Sequence, residues 1–189
     1  MSTSVAADQS GQSVPRSMAR LAGFFYLLTF VTGLFAWLAR DKLGSGSGMV
    51  AGACYVVVTL LFYHLFKPVN RSLSFIAACI SLAGCAIGPV GLFVHAFSRI
   101  NPLVLFGCYC LVIGCLIWNS TFLPPLLGAL MILAGFGWLT FLSPVLATRL
   151  APFSFLPGLI GEGALTLWLL VRGVDEASWR KQLSQSQTS

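Results

Sequence analysis

The sequence predicts an all-α fold, a polytopic transmembrane helical bundle of about six spans. Three observations predict it. Of 189 residues, 57% are hydrophobic and 8% charged, and the mean hydropathy is +0.89; a soluble domain of this size carries about 25% charged residues. The apolar residues fall in runs close to the roughly 20 that a helix needs to cross a bilayer. Glycine, proline and basic residues separate these runs. No water-soluble fold covers so much apolar surface, so lipid is the expected solvent.

Residues 1–15, rich in Ser, Thr, Gln and Gly, read as a disordered tail. Arg16 and Arg20 open the first apolar run, which exceeds the about 7–15 residues of a signal-peptide core and so reads as a retained span. The six spans are expected at about 20–39, 48–67, 72–97, 102–118, 124–143 and 155–172. Gly44-Ser-Gly-Ser-Gly48 breaks the first two apart, and Lys67-Pro-Val-Asn-Arg71 makes a turn. Asn101-Pro102 opens the fourth span and Pro124-Pro125 the fifth, because a proline in a first helical turn sacrifices no hydrogen bond. Pro144, Pro152 and Pro157 mark the last loop, and Pro89 predicts a kink in the third span. Residues 16–174 thus form the transmembrane domain and 175–189 a short C-terminal tail, with Trp179 on the membrane surface.

With six spans the ends share a side. That side carries Arg16, Arg20, Lys67, Arg71, Arg172, Arg180 and Lys181, against Arg40, Lys42, Arg99 and Arg149 on the other. The positive-inside rule therefore puts both termini in the cytoplasm. The net charge of +6 is spread over helix ends rather than gathered in a phosphate-binding patch, which argues against nucleic acid. The six cysteines lie in apolar runs without a Cys-x-x-Cys pair and read as small hydrophobes, not as metal ligands. Small residues on the third, fifth and sixth spans predict close helix packing, including Gly84-x-x-x-Gly88.

Between Lys42 and Val174 the one acidic residue is Glu162, inside the last apolar run. An ionisable group there is costly and by default functional. Counting from the expected outer boundary puts it about 10 Å deep, level with Thr32, Tyr55 and Tyr109 on other spans. On its own helix Glu162 shares a face with Gly158 and Thr166, four residues away on either side. The candidate ligand-binding set is therefore Glu162, Tyr55, Tyr109, Thr32 and Thr166, with His95 at the outer mouth. His64 lies at the opposite end of its span, so the two histidines cannot share a haem or a metal. The alternative is a neutral, hydrogen-bonded Glu162 that locks the last helix. No nucleotide-binding loop, His-Glu-x-x-His or Gly-x-Ser-x-Gly motif is present. No catalytic residue, metal or cofactor is therefore expected, and an enzyme is the less favoured class.

Several stretches resemble a bacterial family of multispanning proteins catalogued as domain of unknown function 4386. They are Arg20-Leu-Ala-Gly-Phe-Phe-Tyr-Leu-Leu-Thr29, Leu65-Phe-Lys-Pro-Val-Asn-Arg-Ser-Leu73, Ser120-Thr-Phe-Leu-Pro124 and Gly158-Leu-Ile-Gly-Glu-Gly-Ala-Leu-Thr-Leu-Trp-Leu-Leu-Val171. The resemblance implies a multi-pass protein of the bacterial inner membrane and carries no activity with it. The leading expectation is a membrane protein that binds or moves a small solute or cation around Glu162. A non-catalytic scaffold or accessory subunit is the second, with a homo-oligomer or partner subunit. An intramembrane lipid-modifying enzyme is the third.

Overall fold

The computed structural model of the chain describes residues 14–39, 42–91 and 101–187. Eight helices follow one another: α1 (Val14–Ala39), α2 (Lys42–Phe66), α3 (Arg71–Gly91), α4 (Pro102–Trp118), α5 (Pro125–Leu139), α6 (Pro144–Leu150), α7 (Leu156–Val171) and α8 (Glu176–Ser186). Short 3-10 turns at Thr140–Leu142 and Phe153–Phe155 flank α6. Among the described residues there is no strand, and the fold is the all-α bundle expected. Among the described residues four helical stretches are long and apolar enough to cross a membrane: Val14–Ala39, Gly46–Phe66, Pro125–Leu142 and Phe153–Val171. Arg71–Ile87 and Pro102–Trp118 are shorter apolar helices.

The helix starts follow local chemistry. Asn101 caps α4 by accepting from the Leu103 N–H at 3.0 Å, with Pro102 in the first turn. Asn70 does the same for α3, accepting from Leu73 N at 2.9 Å. Ser143 accepts from Leu146 N at 3.4 Å to start α6, a short helix within the stretch expected to be loop.

Two starts differ from expectation. α1 already begins at Val14, and Pro15 in its first turn costs no bond. α2 begins at Lys42, so the Gly/Ser stretch expected as a breaker is helical. Packing overrides propensity there. A side chain at Gly44 would touch the Ala36 carbonyl of α1 at 3.1 Å, and Ser47 Oγ donates to the Thr32 carbonyl at 2.7 Å. The third helix is described to Gly91, so residues 92–97 of the expected span lie outside the described residues.

Each long helix packs on its sequence neighbour, α1 on α2, α2 on α3, α3 on α4, α4 on α5 and α5 on α7, and α7 then packs on α1. The result is a closed ring of six helices. Its interior holds Tyr26, Val58, Phe62, Tyr109, Ile113, Met131, Leu165 and Leu169, all buried, while Val31, Leu34, Phe136, Leu159 and Leu167 face outward. Outward leucine and phenylalanine need no cover where the surroundings are hydrocarbon.

Contacts between helices are made through glycine. On the α4–α5 seam a Cβ at Gly114 would stand 2.9 Å from the Gly128 carbonyl, and one at Gly128 would stand 2.8 Å from the Gly114 carbonyl. Gly107 and Gly135 repeat the reciprocal pairing. On the α5–α7 seam a Cβ at Gly161 would collide with the Leu130 carbonyl. Backbones in lipid have to approach this closely because no solvent drives apolar faces together.

At the end of the ring where α1 starts, α8 folds back across the loops. Trp179 Nε1 donates to the Leu65 carbonyl at 2.9 Å, and Gln182 accepts from Thr121 N at 3.1 Å. Trp179, expected on the membrane surface, packs against the core at this end, where its indole N–H finds a free helix-end carbonyl.

Gly161→Ala should destabilise the chain by about 1–3 kcal/mol, the usual cost of overpacking. Gly163→Ala, two residues along and with open space around it, should be neutral or stabilising by up to about 1 kcal/mol through helix propensity. Unfolding both variants in mild detergent checks the pair; equal losses would refute the close seam.

Candidate functional site

Glu162 points into the ring and is 6% exposed. Two glycines put it there. Gly161 seats α7 against the α5 backbone. Gly158, one turn earlier, leaves the space that the Trp138 indole fills, since a Cβ at 158 would collide with that ring. The indole is thereby held beside the carboxyl, and Trp138 Nε1 donates to Glu162 Oε1 at 2.5 Å. From α1, the Tyr26 hydroxyl reaches Glu162 Oε2 at 2.6 Å. From α4, the Cys110 thiol lies 3.7 Å from Oε1. Three helices thus converge hydrogen-bonding groups on an acid carried by a fourth.

Aromatic rings frame the cluster. Tyr26 stacks on Phe30 and meets Tyr55 edge-on at 5.6 Å and Phe62 at 6.0 Å. Tyr55 meets Tyr109 at 5.9 Å and Phe106 at 4.8 Å. The hydroxyls of Tyr55 and Tyr109 are buried, have no hydrogen-bond partner, and lie within electrostatic reach of Glu162. Burying a hydroxyl without a partner costs about 1–3 kcal/mol. Beyond them, Thr59 Oγ1 and Ser81 Oγ share a buried bond of 2.6 Å. Tyr26, Tyr55 with Thr59, Ser81, Tyr109 with Cys110, Trp138 and Glu162 come from α1, α2, α3, α4, α5 and α7 respectively. Every helix of the ring therefore contributes a polar side chain to its interior.

The residues singled out from sequence fall differently. Tyr55 and Tyr109 are in this interior. Thr166 is buried, but its hydroxyl donates to the main-chain carbonyl of Glu162 at 2.7 Å rather than to the carboxyl. Thr32 donates to the Leu28 carbonyl at 2.7 Å and supports the α1–α2 contact. It stands six residues beyond Tyr26, about 9 Å along the helix axis. His95 lies outside the described residues.

Tyr26, Trp138 and Cys110 were not anticipated as partners of the acid. Counting depth from helix ends selects Thr32 because it assumes that all spans end at one level, yet α1 has 26 residues and α7 has 16. Tyr26 was visible as the one tyrosine within the first apolar run, beside Thr29 and Thr32. Trp138 was visible as an indole N–H within an apolar run, in need of an acceptor.

Among the described residues no group of three or more His, Cys, Asp or Glu is placed to hold a metal ion. An open groove of about 730 Å³ lies at the α8 end, lined by Arg16, Trp168, Arg172 and Asp175, with Arg172 over the Trp168 ring at 5.8 Å.

The segment that carries the acid and three of its neighbours also answers to a known family model. Residues 92–173 match the domain of unknown function DUF4386. The DUF4386 match includes Tyr109, Cys110, Trp138 and Glu162, while Tyr26 and Tyr55 precede it. The resemblance read from the sequence motifs is to this same family. A protein of Archaeoglobus fulgidus described as "Uncharacterized protein" is 28% identical over 129 residues, covering 62% of this chain and 76% of that protein. No solved structure matches the chain.

Tyr26→Phe and Trp138→Phe each take one hydrogen bond from the buried Glu162 carboxyl and should each cost about 1–3 kcal/mol. Thr32→Val removes only a bond within one helix turn and should stay within about 0.5 kcal/mol. Chemical unfolding of the three variants in the same detergent compares them; a Thr32 loss as large as the other two would refute the assigned hydrogen-bond pattern.

Proposed function

We propose that this chain is a multi-pass membrane protein that binds or translocates a small cation at Glu162. The observation that carries the reading is the acid itself, buried in the ring with groups from α1, α4 and α5 directed at its two oxygens. A carboxyl in hydrocarbon is costly to keep, and a leucine would pack the same space without that cost. The unpartnered Tyr55 and Tyr109 hydroxyls support the same reading, because their lone pairs are what a cation or its carried water would use. We take all six ring helices to cross a bacterial inner membrane, with both termini cytoplasmic. The crowding of Arg16, Arg20, Lys67, Arg71 and Arg172 at the helix ends of the α8 side supports that orientation.

A scaffold or accessory subunit is the second reading. Its supporting observation is that Gly33, Gly46 and Gly52 have open space where a side chain would be, unlike the glycines of the α4–α5 seam. It expects a defined oligomer or a co-purifying subunit on size-exclusion chromatography with light scattering.

Glu162→Gln separates the two. The carboxamide oxygen still accepts from Trp138 and the amide still bonds Tyr26, so the variant should fold. The wild type in nanodiscs should gain stability on titration with its cation, by about 2.7 kcal/mol at a hundredfold excess over Kd, and Glu162→Gln should gain none. Identical behaviour of the two proteins across protons, sodium and potassium would sink the cation reading.

A further inference from the structure

We propose that the cation held at Glu162 is the proton, and that the Tyr26 hydroxyl is the reversible link that passes it between the carboxyl and the buried hydroxyls of Tyr55 and Tyr109. This rests on the reading of Glu162 as a cation site.

The two carboxyl oxygens differ in what faces them. Oε1 faces Trp138 Nε1, which can only donate, and the Cys110 thiol. It is therefore an acceptor in any state of the site. Oε2 faces the Tyr26 hydroxyl, which can either donate or accept. When Glu162 is a carboxylate, Tyr26 donates to Oε2. When Glu162 is the acid, Oε2 donates to Tyr26, and the Tyr26 hydrogen turns away. Both states keep both strong bonds without moving a heavy atom. A metal ion fits less well, because the Trp138 N–H points a hydrogen at the oxygen such an ion would coordinate. Among the described residues no second acid, and no group of three metal-ligating side chains, stands by to help it.

In the acid state the hydrogen of Tyr26 needs an acceptor. Of the rings packed edge-on against Tyr26, Phe62 has no acceptor and Tyr55 has a hydroxyl that is buried and unpartnered. Tyr109 follows, edge-on to Tyr55 and likewise unpartnered. The Thr59–Ser81 pair extends the series towards α3. Two unpartnered hydroxyls on adjoining buried rings are expensive in a passive core. They are what a hydrogen-bonded proton path requires, with bridging water between hydroxyls that do not touch.

The step balances. The Oε2–H bond of Glu162 breaks as a new O–H bond forms on Tyr26. The former Tyr26 proton moves to the next oxygen, and the shift repeats until water accepts the proton. Each tyrosine ends neutral and Glu162 ends as the carboxylate.

The titratable groups facing Glu162 are Tyr26 from α1, Tyr55 from α2, and Tyr109 and Cys110 from α4. From α5 the facing group is Trp138, which does not titrate, and α3 contributes Cys85 beside Tyr109. Arg20 of α1 is engaged at the far end of α7, with its guanidinium on the Val171 carbonyl at 3.4 Å.

Infrared difference spectroscopy of the full chain in nanodiscs tests this, with a pH jump as the trigger. Acidification should produce, beside the bands of the four other side-chain carboxyls, a carboxylic-acid carbonyl band with matching loss of carboxylate that is present in the wild type and missing from Glu162→Gln, and this difference band is the one followed. Tyr26→Phe should keep the band but slow its appearance at least about tenfold, about 1.4 kcal/mol in barrier. Tyr55→Phe should slow it as well and serves if Tyr26→Phe does not fold. Thr32→Val should leave the rate unchanged. A band that appears equally fast in both tyrosine variants overturns the relay while leaving a protonatable Glu162. No band, together with a bound sodium or potassium mass lost in Glu162→Gln, overturns the proton assignment and leaves the cation site standing. No band and no bound mass overturn both.

Discussion

Hydrocarbon offers no hydrogen bonds, so every polar group placed inside this ring has to be satisfied by another helix or by what the protein binds. That constraint explains why Glu162 is where it is. A carboxyl facing lipid would be intolerable, and a carboxyl inside the ring is tolerable only with donors of the right kind. Trp138 and Tyr26 supply them from the two helices that flank α7. The acid therefore fixes the rotation of α7 and, through its partners, the rotations of α5 and α1. An apolar residue at 162 would tolerate several packings; the acid tolerates one.

The glycine seams and the acid depend on each other. Gly158 and Gly161 bring α7 near enough to α5 for the indole to reach the carboxyl, and the hydrogen bond in turn holds the seam in register. On the opposite side of α5, Gly128 and Gly135 set the distance to α4 and so the position of Cys110 and Tyr109. Close backbone contact and polar chemistry are in this way two aspects of the same three helices, α4, α5 and α7.

Much of this was legible in the chain. Composition and run length gave an all-α membrane bundle, and Asn101, Pro102 and Pro125 marked helix starts that the structure reproduces. Glu162 stood out because its chemistry is foreign to its surroundings. Its partners were harder to find, since they depend on the relative levels and rotations of helices far apart in sequence. Thr32 was selected and Tyr26 passed over unweighed for that reason, and Trp138 is close to a helix end, where an interfacial reading is the default. The Gly/Ser stretch before Met49 looked like a linker because propensity is local, whereas its helix is imposed by the contact of Gly44 and Ser47 with α1. The fold of α8 onto the loops was hidden for the same reason. Its polar sequence shows only that it is soluble-facing, not that Trp179 has a carbonyl to meet.

The ring closes between its first helix and its last long one, and this has a consequence for biogenesis. The bond from Tyr26 to Glu162 joins residues 136 positions apart, so it forms only after the whole of α7 has left the ribosome. Until then Tyr26, Tyr55 and Tyr109 sit in nascent helices with no acid among them, and the N-terminal part of the chain has nothing to clasp. Translation stopped before residue 162 leaves an open arc that lacks the acid and its bond to Tyr26. Glu162 thus distinguishes a chain translated through α7 from one interrupted before it. Its position late in the sequence makes ring closure the last step, after the contacts between successive helices.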